Sequence, residues 1–302
     1  MLMDEVWCTA RVGLYAGADV RSQPKCRRMS QRATNGNSMS EPVSIAQYFP
    51  WDGGAIFVGT AGTIPVHAHQ AIQICFLFEG RIRLRVNNEH PWLEYDLAIV
   101  ASQQPHAMDG SRTHYGATIF IEPETREGRV LTQRCHGHGI AELERTPVRE
   151  VLPTLRAAVL ERRGRPAITE QARRVVQLLT QHAEPVVTSD ERILRAVKYV
   201  NDHLSAPIKL TEVARVACLS PSRFRHLFAE QTGMALRQYI LWRRFGSVWE
   251  HRMNGESLST AAHAAGFADS AHLTRTSRRM IGIPPSLMDI SEAPVHPSPP
   301  QQ

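Results

Sequence analysis

The sequence contains few cysteines, and their placement argues against a fold held together by disulfides or by a structural zinc ion. Five cysteines are scattered over 302 residues, and no two of them form a C-x-x-C pair. An odd, widely spaced set of this kind does not make a disulfide framework or a zinc finger. With 42% hydrophobic residues, the chain has instead the apolar content to build packed cores.

Long apolar segments are also missing. No stretch reaches the run of about 18 apolar residues that a membrane-spanning helix needs. The first residues include Asp4 and Glu5 and lack a continuous apolar segment, so they do not resemble a signal peptide. We therefore expect a cytoplasmic protein without a membrane partner.

Excess charge is confined to parts of the chain. The net charge is +6, but residues 41–189 hold 15 Lys and Arg against 16 Asp and Glu. Residues 190–290 hold 14 against nine, and residues 1–40 hold six against three. A basic excess in the last third suggests an anionic partner for that region.

The length fits roughly two domains of ~100–200 residues each. Changes in composition predict five segments: a disordered tail over 1–40, a sensor domain over 41–184, a linker over 185–190, a helical domain over 191–289 and a disordered, Pro-rich tail over 290–302.

The first domain has the pattern of short β-strands. Runs rich in Ile, Val and Phe alternate with turn signals such as Glu79-Gly80 and Asn87-Asn88. The predicted strands are Ala55–Val58, Gln73–Phe78, Arg81–Val86, Leu97–Val100 and Ala117–Ile121. Many short strands favour a sandwich or a small barrel. After Pro147 the apolar period becomes helical and predicts a hairpin of two helices, over 148–162 and 167–181.

The last third contains one small pattern twice. Thr211–Cys218 is an apolar helix followed by a brief turn, and Ser220-Pro221 opens a new helix with an N-cap and a proline at its first position. Leu258–Ala265 repeats the pattern, and Asp269 caps a helix that runs to about Met280. Leu236–Met253 is predicted to connect the copies. Two helices joined by a short turn are the geometry that places the second helix in the DNA major groove.

Residues 208–285 resemble the double helix-turn-helix domain of AraC/XylS-type transcription regulators. The matching stretches are Leu210–Ala214, Leu219–Phe224, Leu227-Phe228, Thr232-Gly233, Asn254–Leu258, Ala265–Asp269 and Gly282–Pro285. The chain departs from the family at Ser277 and near Ile281, where an aromatic residue is usual.

This resemblance implies a set of DNA contacts. Base contacts are expected from one recognition helix at Ser222, Arg225 and His226, with Arg223 beside them, and from the other at Ser270, Ala271, Thr274 and Arg275. Phosphate contacts are expected from Arg243, Arg244 and Arg278. Among these residues, Arg225 has the side chain suited to a bidentate contact with guanine.

The first domain more loosely resembles a cupin barrel. His67-Ala68-His69, Gln73, Gly80 and His106 follow the cupin order of ligands, but Gln73 stands where catalytic cupins usually have Glu. The expected fold class is therefore multidomain α+β: a cupin-like β-barrel with a helical hairpin, followed by an all-α tandem helix-turn-helix domain.

Three interpretations of the histidines remain open. They form a metal site, with His67, His69 and His106 as weak candidate ligands of a divalent ion. Alternatively, they line a metal-free effector pocket with Gln73, Phe76 and Trp92, or they have no ligand at all. Regulators of this family commonly keep such histidines without metal, so no cofactor is assigned. His136-Gly137-His138 is interpreted as a chance cluster in a loop.

The leading hypothesis is a non-enzymatic, sequence-specific transcription regulator controlled by a small-molecule effector. Its expected partners are double-stranded DNA, the effector and a second copy of the chain, with RNA polymerase as a further candidate. The resemblance allows a homodimer through the helical hairpin. The alternatives are a metal-dependent cupin enzyme with an accessory DNA-binding domain and an effector-independent dimeric repressor.

Overall fold

The computed structural model describes residues 46–60, 62–110, 115–135, 138–183 and 190–289. The predicted tails over 1–40 and 290–302 and residues 185–189 of the predicted linker lie outside these ranges. His136 and Gly137 also lie outside them, whereas His138 is described and exposed. No helix within the described ranges is long and apolar enough to cross a membrane.

Most strands lie in the first half of the described chain. In order, they are β1 (Ala46–Trp51), β2 (Gly54–Thr60), β3 (Thr63–His67), β4 (Ile72–Leu77), β5 (Ile82–Arg85), β6 (Leu93–Tyr95), β7 (Ala98–Val100), β8 (His106–Asp109), β9 (Tyr115–Ile121), β10 (Ile140–Glu142) and β11 (Met288–Asp289). They form a large sheet in the order β10-β7-β4-β9-β2-β1-β11 and a small sheet in the order β3-β8-β5-β6. The pair β1–β11 is parallel.

The helices follow in two groups. In order, they are α1 (Arg126–Arg134), α2 (Val151–Leu160), α3 (Gly164–Thr180), α4 (Glu191–Asp202), α5 (Leu210–Val216), α6 (Pro221–Thr232), α7 (Leu236–Met253), α8 (Leu258–Ala264) and α9 (Ser270–Ile281). The first three pack against the large sheet, and Leu155 and Val175 of the α2–α3 hairpin share its apolar cluster. The apolar faces of this hairpin are thus used within the chain.

Strand β4 shows how the two sheets are positioned. It lies between β7 and β9, and all six of its residues are buried. Since side chains alternate along a strand, Ile72 and Ile74 pack towards the helices, whereas Cys75 and Leu77 pack against β5 and β8 of the small sheet. Gln73 has the same parity as Cys75. Its side chain therefore faces the space between the sheets.

The C-terminal helices enclose two apolar clusters. One joins α4, α5 and α6 to the beginning of α7, with Phe224, Phe228 and Tyr239 at its centre. The other joins the end of α7 to α8 and α9, and it also includes Tyr48 of β1 and Met288 of β11. The C-terminal segment is therefore all-α apart from the two-residue strand β11, and it shares a core with the large sheet.

Most local predictions are confirmed. The predicted strands correspond to β2, β4, β5, β7 and β9, the helical hairpin to α2 and α3, and the helix predicted over Leu236–Met253 to α7 with the same bounds. The sequence patterns missed the short strands β3, β6, β8 and β10 and the helix α1. A β-sheet region followed by a helical region agrees with the expected fold class, while the specifically cupin-like character of the sheets stays a prediction.

The end of α9 approaches the small sheet closely. Gly282 follows this helix with a φ of +78°, a left-handed conformation that favours glycine. A Cβ atom at this position would lie 2.4 Å from Ile64 Cγ2 and 3.1 Å from His67 Nδ1, both on β3. The absence of a side chain at Gly282 therefore allows the C-terminal segment to contact β3.

We expect Gly282→Ala to destabilise the protein more than Gly255→Ala does. Both glycines have positive φ, +78° and +86°, but a Cβ at Gly255 meets nothing within 4 Å. Each variant carries the left-handed strain of ~1–2 kcal/mol, and crowding against Ile64 and His67 adds roughly 1–3 kcal/mol at Gly282 alone. Urea unfolding of the two variants measures the difference, and equal losses would contradict the close approach.

Candidate functional site

The first helix-turn-helix unit consists of α5 and α6. The Ser220 hydroxyl caps α6 by accepting a hydrogen bond from the Arg223 N–H at 3.3 Å, and Pro221 occupies the first helical position. Val213 of α5 and Phe224 of α6 are fully buried against each other's cluster. This packing fixes α6 and leaves its other face to solvent.

The exposed face of α6 carries the residues predicted to contact DNA. Ser222, Arg223, Arg225 and His226 are all exposed. Two cations and two short or aromatic donors on one helix face form a surface that can meet bases and phosphates.

The second unit, α8 and α9, has the same organisation. The Asp269 carboxylate caps α9 by accepting from the His272 N–H at 2.5 Å. Ser270, Ala271, Arg275 and Arg278 are exposed, whereas Thr274 is half-buried and donates its hydroxyl to the Ser270 carbonyl at 2.9 Å. Both predicted recognition helices thus present their predicted side chains outward.

Two of the predicted phosphate contacts are not supported. Arg243 forms an ion pair with Glu122 across the boundary between α7 and the large sheet, and the two side chains are only 20% and 15% exposed. Arg244 donates to the backbone carbonyls of Leu204, Ala206 and Gly266, each at 2.9 Å. These guanidinium groups hold the protein's own elements together, and the sequence pattern does not distinguish them from free surface cations.

Further polar contacts join the C-terminal helices to the sheet domain. The Tyr239 hydroxyl on α7 donates to the buried Glu124 carboxylate at 2.6 Å, and Arg129 of α1 donates to the Gln231 side chain at 2.9 Å. Sequence reasoning missed Glu122 and Glu124, although two carboxylates directly after the apolar strand β9 are a signal for a polar function at its end.

Three buried histidines lie between β3 and β8. The ring centroids of His67 and His106 are 4.3 Å apart, and those of His69 and His106 are 5.1 Å apart. The Gln73 side-chain oxygen lies 2.9 Å from His69 Nε2 and 3.3 Å from His106 Nε2. The structure therefore brings together all four of the polar residues predicted for this site.

The histidines are neutral at pH 7. Burial, with a contribution from neighbouring His69, lowers the pKa of His67 to about 4. Burial likewise lowers the pKa of His69 and, more strongly, that of His106. Neutral imidazoles act as hydrogen-bonding groups or metal ligands rather than as cations.

An apolar cavity of about 60 Å³ lies between the two sheets beside this cluster. Its lining includes His67, Gln73 and Phe76 from the sheets and, from the C-terminal segment, Ile281 and Ile283. Trp92 is not part of this lining. It lies on the outside of the small sheet, where the guanidinium carbon of Arg85 stacks 4.5 Å from its ring, so its predicted effector contact is not supported.

Comparisons with known proteins agree with the helix-turn-helix geometry. Residues 213–288 match a family model described as a helix-turn-helix domain. The arabinose operon regulatory protein of Escherichia coli K12 is 29% identical over 120 residues, which are 36% of this chain and 40% of that protein. The multiple antibiotic resistance protein MarA of the same strain is 27% identical over 88 residues, which are 29% of this chain and 69% of MarA.

The fold as a whole has a counterpart among solved structures. Apo ToxT from Vibrio cholerae strain SCE256 is similar over 78% of this chain and 96% of its own, with a TM-score of 0.51 and 11% identity. At that identity the likeness concerns the fold alone. With the family match and the relatives, it identifies the chain as a protein of the AraC type, as the sequence motifs predicted. The match spans only 40% of the arabinose operon regulatory protein.

We expect Glu124→Gln to flatten the pH dependence of stability. Burial, with the nearby Glu122 carboxylate, raises the pKa of Glu124 from its ordinary 4.5 to about 7. The folded protein thus retains a proton that the unfolded chain releases. Stability is full below pH ~4.5 and falls as the pH rises towards 7, by up to about 1.4 kcal/mol per pH unit.

A glutamine still accepts from Tyr239 but does not titrate. Urea unfolding between pH 5 and 8 should therefore show a shallower slope for Glu124→Gln than for the wild type. Glu170→Gln, at an exposed glutamate on α3, is the matched control. If the slope is the same in all three proteins, Glu124 does not have a raised pKa.

Proposed function

We propose that this protein is a DNA-binding transcription regulator of the AraC type whose C-terminal domain binds a promoter. The observation that carries this proposal is the pair of capped helices α6 and α9, each with its predicted DNA-contacting side chains outward. The basic excess of residues 190–290 supports it, because phosphate neutralisation supplies much of the affinity of such domains.

We further propose that a small molecule with a largely apolar surface binds between the two sheets and controls DNA binding. The cavity has room for about four to six water-sized groups, enough for a small compound or one end of a larger one. Ile281 at the end of α9 and Ile283 just beyond it form part of the wall. Occupancy would then favour one placement of α9 by the difference in effector affinity between the two placements.

A homodimer and a contact with RNA polymerase stay predictions, as does a cytoplasmic location. The hairpin α2–α3 packs its buried face against its own large sheet, so a dimer through it would use the outward face.

Arg225→Gln is expected to weaken binding to a duplex recovered by in vitro selection with the full chain. Loss of one cation on α6 should reduce affinity about 10-fold and the slope of log affinity against log salt by about one. Fluorescence anisotropy at several salt concentrations measures both quantities. Arg174→Gln, at an exposed arginine of α3, should behave as the wild type.

No salt-sensitive duplex binding by the full chain would overturn the DNA-binding proposal. Equal losses in the Arg225 and Arg174 variants would show that α6 is not the contacting surface.

The effector proposal predicts thermal stabilisation by ligands from a panel of small, mostly apolar metabolites. A ligand at a hundredfold excess over its Kd stabilises the folded state by about 2.7 kcal/mol. Ala117 lines the cavity and is 3% exposed, so Ala117→Leu should fill the space and remove the shift. A ligand that stabilises this variant as well as the wild type binds elsewhere, and no stabilisation by any compound would favour an effector-independent repressor.

A further inference from the structure

We propose that His67, His69 and His106, together with the side-chain oxygen of Gln73, bind one divalent first-row transition-metal ion. The family resemblance does not favour an ion at this position. The proposal follows from the hydrogen bonds around the four side chains, and it does not depend on DNA binding.

The ring protons of all three histidines are fixed by the backbone. In each ring, Nδ1 lies 2.8 or 2.9 Å from a carbonyl oxygen, that of Pro65 for His67, of Ala71 for His69 and of Gln104 for His106. A carbonyl oxygen only accepts hydrogen bonds, so Nδ1 must be the protonated nitrogen. Each Nε2 therefore carries a lone pair, which is the tautomer that binds metals through Nε2.

These lone pairs converge without a proton between them. One ligand atom from each histidine lies within 4.8 Å of the other two. The Gln73 oxygen, 2.9 Å from His69 Nε2 and 3.3 Å from His106 Nε2, adds another acceptor. Four acceptors facing one another in a buried space repel, unless a cation lies among them or the Gln73 amide is turned so that its NH₂ group faces the rings.

The amide nitrogen of Gln73 makes no hydrogen bond to the described residues. In the orientation that places oxygen against the histidines, the side chain is thus suited to a ligand rather than to a donor. The turned amide is the metal-free alternative, because amide orientation is assigned from its neighbours. The two alternatives predict different effects of a carboxylate at this position.

Three imidazoles and an amide oxygen suit a borderline divalent ion such as Zn²⁺, whereas Mg²⁺ and Ca²⁺ prefer several charged oxygens. With Zn–N bonds of about 2.0–2.1 Å, tetrahedral ligands lie roughly 3.4 Å apart, so the rings need to close by about 1 Å. The carbonyl bonds to Nδ1 already orient them, as outer-shell contacts do in metal sites.

A route to the site exists between the two domains. A cleft of about 430 Å³ is lined by His67 and His69 on one side and by Met234 and Trp242 on the other. The Trp242 ring centroid lies 6.3 Å from that of His69. An ion bound here would therefore lie directly beneath α7, the helix that connects the two helix-turn-helix units.

The test uses the full chain, purified without a polyhistidine tag and treated with a chelator. Calorimetric titration with Zn²⁺ should show one ion per chain, and a hundredfold excess over Kd should raise the thermal midpoint by about 5 °C. Mg²⁺ should produce neither effect. His106→Gln should weaken binding at least 10-fold, and His182→Gln, at an exposed histidine, should bind as the wild type.

Gln73→Glu separates the two alternatives and does not depend on how His106→Gln folds. If an ion binds, the added carboxylate should tighten Zn²⁺ binding about 10-fold, and Zn²⁺ should restore the stability that a buried carboxylate removes. If the amide is turned and no ion binds, Zn²⁺ should not rescue this variant. Substoichiometric Zn²⁺ at about 100 µM in the wild type, or undiminished binding in His106→Gln, would overturn the proposal. None of these measurements involves DNA, so their failure leaves the proposed function untouched.

Discussion

The contact on which the rest of the structure depends is the largely buried ion pair between Arg243 of α7 and Glu122 at the end of β9. It lies where the C-terminal helices pack on the large sheet, next to an apolar cluster that contains residues from both. Such a pair often adds little net stability, because desolvation offsets the attraction. Its geometric effect is stronger, since either charge left alone in this environment is costly. The pair therefore specifies where α7 lies on the sheet, and α7 carries one helix-turn-helix unit at each end.

With α7 held in this way, the proposed sensor and the proposed DNA-binding surface are direct neighbours. Ile281 and Ile283 close the cavity between the sheets, and Gly282 between them contacts His67. A molecule in the cavity would touch the end of the second recognition helix itself. Coupling would then require no chain of intermediate residues, only two placements of α9 with different affinities for the ligand.

The sequence predicted what depends on neighbours along the chain. Apolar periodicity, Ser220 and Asp269 as caps, and the proline at position 221 placed the helices α5 to α9 almost to the residue, because caps and periodicity are local. The histidine cluster with Gln73 was also predicted, from spacing. The roles of Arg243 and Arg244 were not, because their partners lie 121 residues away in one case and are backbone carbonyls in the other. A cation on an amphipathic helix looks the same in sequence whether it meets DNA, a carboxylate or a carbonyl group.

The departure from the family at Ser277 has a local physical explanation. Ser277 is fully buried, and its hydroxyl donates to the Ile283 carbonyl at 2.6 Å. This bond ties the segment after α9 back onto the helix, at the point where Gly282 passes His67 and Ile64. An aromatic side chain at position 277 would displace Ile283, which forms part of the cavity wall. The small side chain that makes the second unit look thinly packed in sequence is thus one of the features that let this domain lie against the sensor, so that Ser277, Gly282 and the cavity form one structural unit.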